Sequence, residues 1–153
     1  MSGENLRKKG SNMEDIAARY LTERGVKILE KNFRSKEAEI DLIGEEGNTL
    51  LFIEVKARKA SGKNGTASEA VGTAKQKRIC RCADYYMYRK DMAPDSRCIR
   101  FDVVAITIRT KENRMEINRE NKGEKEESYE IRWIRNAFDY VRFKRSSPHW
   151  RVF

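Results

Sequence analysis

The run Glu39-Ile40-Asp41-Leu42-Ile43, followed after Gly47-Asn48 by Leu50-Leu51-Phe52-Ile53-Glu54-Val55-Lys56, decides the fold. A Gly-Asn pair between two strand-like runs is a strong signal for a tight hairpin, because both residues tolerate the backbone of a two-residue turn. With Gly47 and Asn48 as the turn, Glu46 pairs with Thr49, Asp41 falls across from Glu54, and Glu39 falls across from Lys56. The second strand puts Leu50 and Phe52 on one face and Leu51, Ile53 and Val55 on the other, as expected of a central strand covered on both sides. It nevertheless ends in Glu54 and Lys56, which share a face. Charges at the end of a buried strand are costly unless paired or used.

Directly facing residues have Cβ atoms about 4.5–5.5 Å apart, close enough for two carboxylates to share a cation. Bare carboxylates repel at that distance, and a divalent ion resolves the repulsion. An oxygen-only donor set suits Mg²⁺ or Mn²⁺. Lys56, one pleat further along, is placed to orient or activate a water, or to neutralise charge developing on a phosphate. The plainer reading is two cross-strand ion pairs among Asp41, Glu54, Lys56 and Glu39. Burial of the strand on both faces argues against it, because buried ion pairs stabilise poorly.

Outward from this hairpin, Ser11 and Asn12 can cap a helix with Glu14 and Asp15 in its first turn and Met13, Ile16, Ala17, Tyr20 and Leu21 at helical spacing. Gly25 stops it. Val26 to Phe33 reads as a first strand with Val26, Ile28 and Leu29 inward. Residues 57–68 form a basic loop, and a second helix runs from about Thr73 to Lys90 with Gln76, Ile79, Cys80, Ala83 and Tyr86 or Met87 on its inner face. Arg100 to Ile108 is a further strand. Met115–Ile117 and Tyr129–Trp133 suggest a terminal strand pair joined by a charged loop, and Ile134–Val141 a short helix. The expected class is α/β, a central mixed sheet flanked by helices. It forms one domain over residues 11–141, between a flexible basic segment at 1–10 and a basic-aromatic tail at 142–153.

The 153 residues carry 33 Lys+Arg against 24 Asp+Glu, a formal net charge of +9. The imbalance is local: residues 56–100 hold 12 basic against 4 acidic side chains, so the basic segment opens at Lys56. Arg58, Lys59, Lys63, Lys75, Lys77, Arg78 and Arg81 lie there, suited to phosphate contacts, with plain solvated charge as the bland alternative. No apolar run spans a membrane and the start has no signal-peptide core. Cys80, Cys82 and Cys98 lack zinc-ligand spacing and read as reduced thiols of a cytoplasmic protein.

The motifs resemble the YraN family of endonuclease-like proteins. The resemblance rests on Glu39–Ile43 and Phe52–Arg58, and extends through Gly10-x-x-x-Glu14, Ala17-Ala18-x-Tyr20-Leu21, Asn32-Phe33-Arg34, Lys75-Gln76-x-x-Ile79, Arg100-Phe101-Asp102-Val103 and Asn136-Ala137-Phe138. It covers about residues 10–140. That family belongs with the PD-(D/E)XK nuclease superfamily, and its pattern is similar to that of archaeal Holliday junction resolvases. The resemblance implies a restriction-endonuclease-like core and a metal-dependent endonuclease acting on DNA, including branched DNA, with Mg²⁺ or Mn²⁺ as cofactor and a homodimer as assembly. It implies Asp41 and Glu54 as metal ligands, Lys56 as the catalytic lysine, Glu14 as a third acid reaching the metal, and Gln76 as a subsidiary active-site or backbone contact; Glu39, from the hairpin register, is the other secondary-site residue. Ala38 stands where the family usually has glycine, and Ile40 where the superfamily has proline. A nucleic-acid-binding protein of nuclease fold with little or no catalysis, and a partner protein whose basic face binds an acidic protein, are the competing classes.

Overall fold

The computed structural model describes residues 3–60, 70–93, 95–111 and 126–141. Helix α1 (Gly3–Thr22) is followed by strands β1 (Lys27–Arg34), β2 (Glu39–Glu46) and β3 (Thr49–Lys59), helix α2 (Thr73–Arg89), and strands β4 (Cys98–Lys111) and β5 (Glu126–Phe138). The strands form one five-stranded sheet in sequence order. β1, β2 and β3 form an antiparallel meander, β3 and β4 are parallel, and β5 returns antiparallel to β4. Parallel neighbours need a crossover, and α2 supplies it. The result is an α/β fold with a mixed sheet, compatible with a restriction-endonuclease-like core.

β3 is central, as its two-faced apolar pattern requires. Leu50 and Phe52 enter a core beneath α2 with Ile79, Tyr86, Phe101 and Val103. Leu51 and Ile53 enter a second core beneath α1 with Ala17, Leu21, Val104 and Ile106. The hairpin register is the one the turn dictates, from Glu46↔Thr49 to Leu42↔Ile53, with Gly47 at a φ of 58°. Gly44 is required for a different reason. A Cβ there would lie 2.8 Å from Val26 Cγ1 and 3.0 Å from the Lys27 carbonyl oxygen. Gly44→Ala should therefore lower stability by about 1–3 kcal/mol through overpacking against β1. A denaturant midpoint equal to wild type would refute that close approach.

Several expectations need correction. α1 begins at Gly3, ahead of the Ser11-Asn12 cap. Leu29 faces solvent at 37% exposure, because the register of β1 shifts between Ile28 and Glu30. Tyr129–Trp133 pairs with β4, and residues 134–138 continue that strand instead of forming a helix. The physical cause is a bulge. The register shifts opposite Phe101 and Val103, and Asn136 adopts a φ of 52°, a conformation that asparagine tolerates better than most residues. Ile134, Ala137 and Phe138 consequently reach the same core, and their spacing imitates a helical period. Met115–Ile117, Lys63, the start of the charged loop and the tail with His149 and Trp150 lie outside the described residues.

Candidate metal and nucleic-acid site

The alternation of β2 breaks at Asp41. Ile40 packs under α2 while Leu42, two residues on, packs under α1, although residues at i and i+2 of a regular strand share a face. The β2–β3 ladder also ends at Leu42↔Ile53, one pair short of Asp41 and Glu54. The strands part there, and the Asp41 side chain takes over the ladder's role. Its Oδ2 accepts the Val55 N–H at 2.7 Å. The direct facing of Asp41 and Glu54 expected from the turn is thus replaced by a side-chain-to-backbone bridge.

The site is strongly polarised. Burial pushes the Asp41 carboxyl up from 3.8 to about 7, and the nearby charges of Glu54 and Glu14 push the same way, against the Val55 hydrogen bond and Lys75. Glu54 is only 8% exposed, and its Oε1 accepts a charge-assisted hydrogen bond from Lys75 Nζ on α2. Lys56 Nζ donates to the Ala70 carbonyl. Gln76, beside Lys75, donates from Nε2 to the Val71 carbonyl at 2.7 Å, bracing the segment that enters α2.

The fold brings Asp41, Glu54, Glu14 and Lys75 into one neighbourhood, with the Lys56 ammonium on the Ala70 carbonyl, but does not form the expected cross-strand pairs. Glu39 pairs across β1 instead, accepting from Arg34 Nε at 3.0 Å. That removes it from Lys56. Arg81 is held by Glu37 at 3.3 Å. Lys77 and Arg78 on α2, and Arg58 and Lys59 at the end of β3, are exposed and have no ion-pair partner among the described residues.

The donor chemistry fits a hard divalent ion in part. Asp41 Oδ1 has no hydrogen-bond partner among the described residues, and an added positive charge would compensate the burial and, after it, the Glu54 and Glu14 repulsion that raise this carboxyl. No group of three His, Cys, Asp or Glu side chains converges to hold a metal among those residues. The fit is thus to a two-carboxylate site for a largely hydrated ion, the manner in which Mg²⁺ is commonly held. Glu14 contributes through its charge on Asp41.

One important residue enters the sequence pattern only as part of the Arg100-Phe101-Asp102-Val103 motif, with no role attached. Asp102 is fully buried and accepts from Arg100 Nε at 2.8 Å and Nη2 at 2.9 Å, from Trp133 Nε1 at 2.9 Å, and from the Asn136 N–H at 2.9 Å. Arg100 continues to Glu46 at 3.0 Å. The available signal was an acidic residue inside the apolar run Phe101–Val104, two positions after an arginine.

Residues 13–106 match the model of a family described as "Uncharacterised protein family UPF0102". Among similar proteins, a UPF0102 protein of Rhodococcus opacus is 50% identical over 99 residues, covering 65% of this chain and 81% of its own. One of Caldicellulosiruptor saccharolyticus is 40% identical over 115 residues, covering 74% and 94%. One of Marinobacter nauticus is 36% identical over 137 residues, covering 90% and 97%. The match takes in Asp41, Glu54, Lys56 and Lys75 together, and the chain belongs to the UPF0102 family, the YraN family that its motifs resemble.

Proposed function

We propose that this protein is a divalent-metal-dependent endonuclease hydrolysing DNA phosphodiesters, with branched or structured DNA as the substrate class. The observation that supports this reading is the Asp41–Glu54 acid pair where two central strands part, with Lys56 one pleat on and a basic surface beside it. Asp41 and Glu54 would hold Mg²⁺ or Mn²⁺, and Glu14 adds negative potential. When bound, such an ion neutralises phosphate charge and lowers the pKa of a water. Lys56 holds its ammonium at the strand end, where it can steady an anionic phosphate once it leaves the Ala70 carbonyl. Arg58, Lys59, Lys77 and Arg78 position the nucleic-acid backbone by charge. Two symmetric cuts call for a homodimer, and a cytoplasmic setting suits the free thiols at Cys80, Cys82 and Cys98.

The test uses purified protein with linear, nicked, flapped and four-way-junction DNA, and RNA, in Mg²⁺ or Mn²⁺. Cleavage by wild type that Asp41→Asn and Lys56→Ala each reduce at least about a thousandfold is the expected result. A second reading, a nucleic-acid-binding protein of this fold without catalysis, is favoured by one observation: Glu54 and Lys56 are both already engaged, with Lys75 and Ala70. Binding without cleavage under every metal condition would establish that reading and end the first. No helix among the described residues is long and apolar enough to cross a membrane.

A further inference from the structure

We infer that Lys75 is the resident counter-ion of Glu54 in the metal-free protein, and that a divalent cation and the Lys75 ammonium compete for that carboxylate. The inference rests on the reading of Asp41 and Glu54 as a metal site. It gives the basic second helix a role that phosphate contact alone does not.

Glu54 is almost wholly buried, so its charge cannot depend on solvent. The only cation that reaches it among the described residues is Lys75. Lys75 projects from the first turns of α2, which begins at Thr73, while Glu54 lies on the α2-facing side of β3 beyond Leu50 and Phe52. The same ammonium offsets the charge of Asp41, so it serves both carboxylates as a metal would. Its side chain is 44% exposed against 9% for Glu54. Lys75 can therefore swing into solvent when its place is taken, whereas the carboxylate cannot move away. A lysine fits this part because its ammonium sits on a flexible stem, while arginine would grip the carboxylate with two parallel hydrogen bonds. Once displaced, the ammonium reaches solvent one turn from the exposed Arg78 on α2, adding a phosphate-facing charge only when the ion is in place. Metal loading and nucleic-acid affinity are then coupled through one side chain.

The test is Mn²⁺ binding to the full chain, measured by titration calorimetry, with thermal shift as a second readout. Lys75→Gln should bind Mn²⁺ about tenfold more tightly than wild type, since no ammonium has to be expelled. Its metal-induced rise in Tm should also be larger, because metal then covers a carboxylate left bare. Lys75→Arg should bind no more tightly than wild type, and it keeps the test usable should the glutamine variant fold poorly. Lys90→Gln, with the same charge change at the other end of α2, should leave Mn²⁺ affinity unchanged. Binding to wild type with equal or weaker affinity in Lys75→Gln, or tighter binding in Lys75→Arg, overturns the competition and spares the metal site. Absence of Mn²⁺ binding in wild type and both variants overturns the competition and the metal site together.

Discussion

Asp102→Ala should cost about 3–5 kcal/mol of folding stability, a large part of the roughly 5–15 kcal/mol that holds a typical domain together. The carboxylate is fully buried and its oxygens accept hydrogen bonds from Arg100, Trp133 and Asn136. Removing it strands the Trp133 indole N–H and the Asn136 amide N–H, and leaves Arg100 with Glu46 as its remaining acidic partner. A donor shielded from water and left unsatisfied costs more than its hydrogen bond contributed, which bears on the half-buried Trp133 indole more than on the exposed residue Asn136. The Asn136 bond also fixes the bulge where β5 changes register, so β5 should loosen along with the buried network. Asp102→Asn should rescue little, because its amide nitrogen turns a donor toward Arg100 or Trp133, which are donors themselves. Trp133→Phe, which deletes one hydrogen bond and keeps the ring, should cost about 1 kcal/mol. Urea unfolding of the three variants checks the ranking. A loss below about 1 kcal/mol for Asp102→Ala would show that this network does not anchor the far side of the sheet.

The contrast between Asp102 and the hairpin shows which features sequence can carry. A two-residue turn fixes register by itself, so Glu46↔Thr49 through Leu42↔Ile53 could be derived by counting. The two-faced apolar pattern of Leu50–Ile53 likewise required a covered, central strand. Counting failed where the ladder ended. Glu39 and Lys56 do not face each other because the strands part at Asp41 and β1 claims Glu39 through Arg34. That parting depends on how the strands twist over two separate cores, which no local rule specifies. The Lys75–Glu54 pair joins residues from two elements of a parallel crossover, whose docking geometry has no signature in spacing. The C-terminal misreading has a different source. A strand bulge at Asn136 gave Ile134, Ala137 and Phe138 the spacing of a helix face, and only the pairing with β4 separates the two.

In the absence of metal, Asp41→Asn should make the protein more stable at pH 8 while removing any metal-dependent cleavage. The folded-state carboxyl is raised from 3.8 to about 7 by burial and by the charges of Glu54 and Glu14, with Lys75 and the Val55 N–H opposing. Between those two values the folded chain keeps a proton that the unfolded chain has released. The contribution of this group to stability is therefore greatest below about pH 4, falls as pH rises towards 7, and is flat above. At about 1.4 kcal/mol per pKa unit, the span amounts to at most about 4 kcal/mol. Asparagine keeps an acceptor for the Val55 N–H, which Asp41 Oδ2 now satisfies, and removes the buried charge. Its stability gain over wild type should thus be large at pH 8, small at pH 4, and should track the slope between them. Mg²⁺ at a concentration well above its dissociation constant should raise the Tm of wild type at pH 8, and should leave Asp41→Asn nearly unmoved, since half of the carboxylate pair is gone. Chemical denaturation of both proteins from pH 4 to pH 8, with and without Mg²⁺, tests the whole prediction. An Asp41→Asn variant that is less stable than wild type at pH 8, or one that keeps the wild-type slope, would mean that this carboxylate bears no electrostatic strain for a metal to relieve. The expected pattern, stability gained where activity is lost, marks a group held in place for chemistry at a cost to folding.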